Sequence, residues 1–289
     1  MFEVEPRRPG TITVWLTGQS IARDTLDRVI ALVTGASSGI GEATARRIAR
    51  EPGAQLVLVA RRAERLEALA AELGGATVVA VDLTDAGAPE HVLSADAARH
   101  ERLDLLVNNA GAAWRGTFAD TGWESVRRHM ELNFDAQVRL TEALLPLLRA
   151  SAPSAIVNVA STAARVSRAS SGAYSASKFA LAGWTDALHL EEARNGVHVG
   201  LVLPGYVATE GFPQRELVDS RLTRWVVSTP ERVAGAIIDA GPGGRAERYV
   251  PRPYWLAAAA RILVPRLVRR ATSSGRLVVA PRTAGDDES

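Results

Sequence analysis

The chain has 289 residues, 47% hydrophobic and 23% charged, with a formal net charge of +2, an ordinary globular balance that gives no electrostatic reason to expect a nucleic-acid partner. It contains no cysteine, which removes disulfides, thiolate metal sites and thiol nucleophiles. His91, His100, His129, His189 and His198 fall at no metal-ligand spacing, so no metal is expected; no run of about 20 apolar residues is present to form a spanning helix, and residues 1–10 lack the apolar core of a signal peptide, which makes the cytoplasm the expected location.

Residues 1–26 precede the first strong strand pattern. Within them, 11–16 reads as a short edge strand, a poorly ordered leader or an over-extended start of the reading frame. From Val29 onward, strand and helix patterns alternate. Strands are expected at 29–33, 56–59, 78–81, 103–107, 155–159 and 197–203, with a short last one at 249–250. Helices are expected at 40–50, 63–73, 88–100, 123–149 and from Tyr174 to about residue 195; apolar residues such as Leu66, Leu69, Ala70 and Leu73 recur at helical spacing. Asn195-Gly196 is a helix stop, and Thr229-Pro230 a helix start with Pro in the first turn. Such alternation predicts an α/β fold: a doubly wound parallel sheet, covered on both faces, in one domain over 27–250 with N- and C-terminal extensions.

Ligands of such sheets bind beyond the carboxyl ends of the strands. Gly35-x-x-x-Gly39-x-Gly41 lies between the first strand and its helix, where glycines admit a pyrophosphate and the helix N-terminus favours its charge. Arg61, Asp82, Asn108, Ser161 and Pro204 follow strands at the same end, so residues far apart in sequence converge on one crevice. Tyr174 and Lys178 stand four apart, on one face of a helix. A phenol has a reference pKa of about 10 and is a weak acid at neutral pH; an ammonium beside it would lower that value and suit it to acid–base work. The second strand ends in Ala60-Arg61-Arg62, with no acid to accept the ribose 2′-hydroxyl. Guanidinium groups suit a 2′-phosphate by charge and geometry, so NADP is expected over NAD.

With Asn108-Asn109-Ala110-Gly111 after the fourth strand, Asp82 after the third, Asn133 in the following helix and Pro204-Gly205 with Thr209 after the sixth, the chain resembles the short-chain dehydrogenase/reductase family in its compact branch, over about 27–250. The resemblance implies hydride transfer between nicotinamide C4 and a carbonyl or alcohol carbon. It implies that Tyr174 exchanges the proton and Ser161 holds the oxygen. It also implies that Lys178 binds ribose hydroxyls while lowering the Tyr174 pKa, and that Asn133 holds a water joining Lys178 to solvent. The cofactor is expected along Thr34, Gly35, Ser37, Ser38, Gly39, Ile40 and Gly41, at Arg61, Arg62, Asp82 and Leu83, at Asn109, Ala110 and Gly111, at Tyr174 and Lys178, and at Pro204, Gly205, Val207 and Thr209. One departure is Ala160, where many members carry a second Ser. A catalytically idle NADP-binding regulator or scaffold of the same fold is the alternative, and the intact tetrad argues against it.

Residues 206–228, with Phe212, Pro213, Leu217, Leu222, Trp225 and Val226, suggest an apolar lid, or equally ordinary core. The helices carrying Asn133 and Tyr174 hold Leu140, Leu144, Leu145, Leu147, Leu148, Leu181, Trp184, Leu188 and Leu190, more than one sheet face would absorb; together with the resemblance this predicts a homodimer or homotetramer packed through them. From Pro253 to Arg270, apolar and basic residues interleave, and Pro265 predicts two short helices. That segment shields the pocket of a bulky apolar substrate, extends a subunit contact, or touches an anionic membrane surface. The tail after Thr272 is expected to be mobile.

Overall fold

A computed structural model describes residues 15–16, 19–20, 29–97, 100–210 and 227–273. Of the expected lid at 206–228, residues 211–226 lie outside them, as does the end of the tail. Trp15–Leu16 and Gln19–Ser20 pair antiparallel as two-residue strands. The main sheet is built from β1 (Ile30–Thr34), β2 (Gln55–Ala60), β3 (Thr77–Ala80), β4 (Leu105–Asn108), β5 (Ser154–Val159), β6 (Val197–Pro204) and β7 (Glu247–Val250). Its spatial order is β3-β2-β1-β4-β5-β6-β7, and every pairing is parallel. The expected doubly wound parallel sheet is therefore the observed fold. The order reverses between β1 and β4, the switch point where such sheets open a crevice.

The strands alternate their buried side chains between two cores, as the period of two requires. Ala31 and Val33 face α1 (Gly39–Ile48), α2 (Ala63–Glu72) and α7 (Pro230–Ala240), packing with Ala45, Ile48, Leu66, Val233 and Ile237. Ile30 and Leu32 face the other side, with Val92 of α3 (Ala88–Ala97), Leu140, Leu144 and Leu148 of α5 (Ala136–Ala150) and Leu188 of α6 (Gly172–Glu192). This double coverage explains the near-continuous apolar runs of the strands.

The single long helix expected at 123–149 is three pieces. α4 (Phe118–Met130) begins five residues earlier, because Thr117 and Asp120 form a capping box, and its backbone is non-helical at Gly122, φ 56°. A π-helical turn, Glu131–Asp135, then joins it to α5. α6 ends in a 3₁₀ turn, Ala193–Asn195, closed by Gly196 at φ 73°, as the Asn-Gly stop signal predicts. Thr229 caps α7 by accepting the Arg232 N–H. Beyond β7, α8 (Tyr254–Leu263) and α9 (Pro265–Ser273) are the two short helices expected around Pro265.

Most of the apolar residues expected to crowd out into a subunit interface are absorbed within the chain itself. Leu140, Leu144, Leu148, Leu181 and Leu188 are all buried in the chain's own core. Leu145, Leu147 and Trp184 are partly buried against it, and Leu190 alone of the nine is largely exposed, at 77%.

Candidate active site

The parallel register brings Thr34, Ala60, Asn108, Val159 and Pro204 to one edge of the sheet. Thr34 joins the first two motifs there. Its Oγ1 donates to the Val107 carbonyl and accepts the N–H groups of Asn109 and Ala110, and its own carbonyl accepts the Asn109 side-chain amide at 2.9 Å. The glycine turn then passes through positions that exclude a side chain. Gly35 (φ 65°) would bring a Cβ to 2.9 Å from Asn109 Nδ2, and Gly41 to 2.2 Å from the Gly35 carbonyl oxygen. Gly39 (φ 56°) would bring one to 3.0 Å from Thr209 Cγ2, so the stretch after β6 closes over the turn. The turn leaves open backbone at the N-terminus of α1, the arrangement that suits a pyrophosphate.

The two arginines at the end of β2 stand differently. The Arg62 guanidinium donates to Ser37 Oγ (3.0 and 3.2 Å) and to Ser38 Oγ (2.8 Å), lying against the glycine turn. Arg61 is 74% exposed and meets Asp82 Oδ2 at 3.5 Å. Asp82 also accepts the N–H and hydroxyl of Thr84. Burial raises its pKa, but those hydrogen bonds and Arg61 outweigh it and leave the carboxyl below its ordinary value. Leu83 is buried, and Arg139 donates to its carbonyl. A second acid reaches this corner: exposed Glu210 pairs with Arg65 at 2.7 Å. It comes from the stretch after β6, not from the end of β2.

The tetrad positions come together above β5. Ser161 stands close enough to the Tyr174 hydroxyl to lower its pKa; its Oγ donates to the Pro204 carbonyl at 3.4 Å and caps the 3₁₀ turn Thr162–Ala164 by accepting the Ala163 N–H. Lys178 is 3% exposed and donates from Nζ to the Val159 carbonyl at 2.9 Å. Burial drops its pKa to about 8. Asn133 sits in the π-helical turn, a device common at functional sites. Its side chain exchanges two 2.9 Å hydrogen bonds with the Ala112 backbone and donates to Ser177 Oγ. A Cβ on Gly111 would lie 2.9 Å from Asn133 Oδ1 and 3.4 Å from Lys178 Nζ, so both groups converge on that glycine. Gln137 holds the neighbouring Ala110 carbonyl. Val207 is buried, and Gly205 lies against the Tyr254 ring, 2.4 Å from Cε2 to an added Cβ.

The expectation that Lys178 lowers the Tyr174 pKa is corrected by this geometry. Burial pushes the phenol up; Ser161, then Arg168 and Arg115, oppose it. Lys178 is directed at the end of β5 instead. Residues outside every recognised motif complete the surroundings of Tyr174. The His129 ring lies edge-on to both Trp114 (4.9 Å) and Tyr174 (6.2 Å), and the Trp114 backbone N–H donates to His129 Nε2. The Gly116 N–H bonds the Ser170 carbonyl at 3.1 Å, which ties the loop of Arg115 to that of Arg168. Arg168 in turn hydrogen-bonds the Tyr206 hydroxyl and lies 4.6 Å from its ring centroid. Trp114, Arg115 and Arg168 sit in loops, His129 near the end of α4 and Tyr206 in a two-residue strand, so no shared periodicity or motif spacing marks them.

The short chain dehydrogenase family model matches residues 29–217. The chain belongs to the short-chain dehydrogenase family. Dehydrogenase/reductase SDR family member 7B of Bos taurus is 34% identical over 68% of this chain and 62% of its own length. Ketoacyl reductase HetN of a Nostoc species is 34% identical over 75% and 76%. Two solved short-chain dehydrogenase structures are also similar. L-sorbose reductase from Gluconobacter frateurii, complexed with NADPH and L-sorbose, has 28% identity, 77% and 94% coverage and a TM-score of 0.69. An actinorhodin polyketide ketoreductase variant with NADPH has 32% identity, 78% and 96% coverage and a TM-score of 0.68.

Proposed function

We propose that the chain is an NADP(H)-dependent oxidoreductase that moves a hydride between nicotinamide and a carbonyl or secondary-alcohol carbon. The observation that carries this reading is the Ser161–Tyr174 pair, brought together at the same sheet edge as a glycine turn that admits no side chain. The NADPH named with the L-sorbose reductase and the polyketide ketoreductase supports the choice of cofactor.

The cradle fits that cofactor. Gly35, Gly39 and Gly41 clear space for a diphosphate, Arg62 with Ser37 and Ser38 presents donors for a 2′-phosphate, and Asp82 with Leu83 borders the adenine side. When bound, NADPH supplies the hydride. Tyr174 gives its hydroxyl proton to the carbonyl oxygen during reduction, and takes one from the alcohol during oxidation. Ser161 donates to that same oxygen and fixes its place. Lys178, with a pKa near 8, is largely protonated at neutral pH and serves ribose hydroxyls. Asn133 is assigned a positioning role, since its donors and acceptor engage Ala112 and Ser177 and hold the loop facing Lys178.

The surroundings of Tyr174 bear on substrate. Trp114, His129, Tyr206 and Tyr254 supply apolar ring surface, while Arg115 and Arg168 supply charge. They favour a ketone with an apolar body and a polar or anionic group over a purely apolar one. From α8, Tyr254 lies against Gly205 beside the crevice, while Trp255 and Leu256 are 53% and 55% exposed. Assembly is proposed as a homo-oligomer through α5 and α6, whose outer groove is lined by Val138, Leu145, Pro146 and Trp184. The test is NADPH consumption with a panel of carbonyl compounds. Absence of turnover with every carbonyl, in a chain that binds NADPH, would favour the idle-regulator reading.

A further inference from the structure

The segment after β7 differs in composition from the rest of the chain. Between residues 251 and 273 the charged residues are Arg252, Arg261, Arg266, Arg269 and Arg270, with no Asp, Glu or Lys among them. On α8, Trp255, Leu256, Ile262 and Leu263 recur at i, i+1, i+7 and i+8, a spacing that gathers them on one stripe. They are 53%, 55%, 76% and 78% exposed, and Val264 and Leu267 follow at 46% and 65%. The opposite side of α8 faces the protein: Ala258 is buried, and the Tyr254 ring covers Gly205. Burial there raises the Tyr254 pKa to about 12. The helix thus docks by a tyrosine and an alanine, and presents its larger apolar side outward. A helix that packs on its own core does the reverse.

The charge pattern selects what covers this face. A two-fold contact between copies places the same patch on both partners. It would set these arginines against their own counterparts, and the segment has no carboxylate to pair with them. An anionic bilayer offers the complementary arrangement, apolar depth for the ring and aliphatic groups and phosphates for the guanidinium groups. The segment does not span: no helix among the described residues is long and apolar enough to cross a membrane. We propose that α8 and α9 lie in the surface of an anionic lipid bilayer, with Trp255, Leu256, Ile262, Leu263 and Leu267 at the headgroup–acyl boundary and the arginines on lipid phosphates. Because Tyr254 touches Gly205 beside the crevice, this docking sets the crevice near the lipid surface.

The test uses the full chain in co-sedimentation with vesicles of phosphatidylcholine alone and of phosphatidylcholine mixed equally with phosphatidylglycerol. Binding is expected to the mixed vesicles and to weaken as salt screens it. Arg266→Gln with Arg269→Gln should weaken it roughly tenfold or more, the scale for two arginines at an anionic surface. Ile262→Ser with Leu263→Ser should weaken it too, with NADPH affinity and the thermal transition unchanged. If the serine variant fails to fold, the contrast between the two vesicles and its salt dependence decide the question on the native chain. Equal binding to both vesicles, or binding to neither, overturns the proposal. A native light-scattering mass that drops in the serine variant, without vesicle binding, assigns the face to a second copy instead.

Discussion

The two adjacent arginines after β2 should contribute unequally to cofactor choice. Arg62 lies against the glycine turn and already points donors at Ser37 and Ser38, so a 2′-phosphate there would meet a guanidinium held in place. Arg61 is mostly exposed and engaged at 3.5 Å by Asp82. A hydrogen bond to a charged group contributes about 1.5–3 kcal/mol, so Arg62→Ala should weaken NADPH binding by about 10- to 150-fold. An exposed contact is worth far less, and Arg61→Ala should cost no more than about fivefold. NADH lacks the phosphate, and its affinity should change by no more than about twofold in either variant, since exposed substitutions are close to neutral. Fluorescence titration or calorimetry of both cofactors against the native chain and both variants measures all of this. Equal losses for NADPH and NADH in Arg62→Ala, or a native chain that prefers NADH, would refute the assignment of the phosphate to this corner.

Tyr174→Phe should lower turnover by at least about 100-fold while NADPH still binds, the usual scale for a lost general acid; an active phenylalanine variant would sink the mechanism. If Arg115 and Arg168 receive an anionic group, oxo acids should be reduced with higher kcat/KM than their methyl esters. Arg168→Met should shrink that preference, and a native enzyme that favours the esters at every keto–carboxyl spacing would refute the role. Asp96 is fully buried with no hydrogen-bond partner for either carboxyl oxygen among the described residues, and burial raises its pKa from 3.8 to about 7. Its folded-state pKa lies above the unfolded one, so its contribution is complete below pH 3.8 and is lost as pH rises through about 7, up to about 4 kcal/mol in all. Asp96→Asn should therefore gain stability over the native chain in urea melts at pH 8 but much less at pH 5; an equal difference at both would show that the carboxyl is not held neutral. At micromolar concentration, light scattering should return the mass of a dimer or tetramer, and a monomer would count against assembly through α5 and α6.

What the sequence disclosed follows from what each signal depends on. The sheet strands are buried on both faces, so Val29 to Val33 or Leu56 to Val59 read as apolar runs whatever packs on them. Glycines at positive φ, a Tyr and Lys four apart, and an Asn-Gly helix stop are local in sequence, and each appears at its place in the fold. The start of α4 depended on Asp120 completing a capping box with Thr117, where the usual signature has Glu or Gln. The π-helical turn around Asn133 left no pattern in its residues.

Electrostatics were the least legible, because pKa values answer to burial and to loops that meet only after folding. Helical spacing places Lys178 near Tyr174, and proximity alone argues for a lowered phenol pKa. Folding turns the ammonium into the sheet edge instead, and its hydrogen bond to the Val159 carbonyl holds it there. Burial then acts on the two groups in opposite senses, raising the phenol and lowering the amine, because in each case it disfavours the charged form. The cations that support phenolate are Arg168, six residues before Tyr174, and Arg115, on a loop joined to it by one backbone hydrogen bond. Burial therefore makes Lys178 the readier of the two to lose a proton. A lysine poised in this way can hold ribose hydroxyls by its hydrogen bonds while the acidity of Tyr174 is set from the substrate side of the crevice.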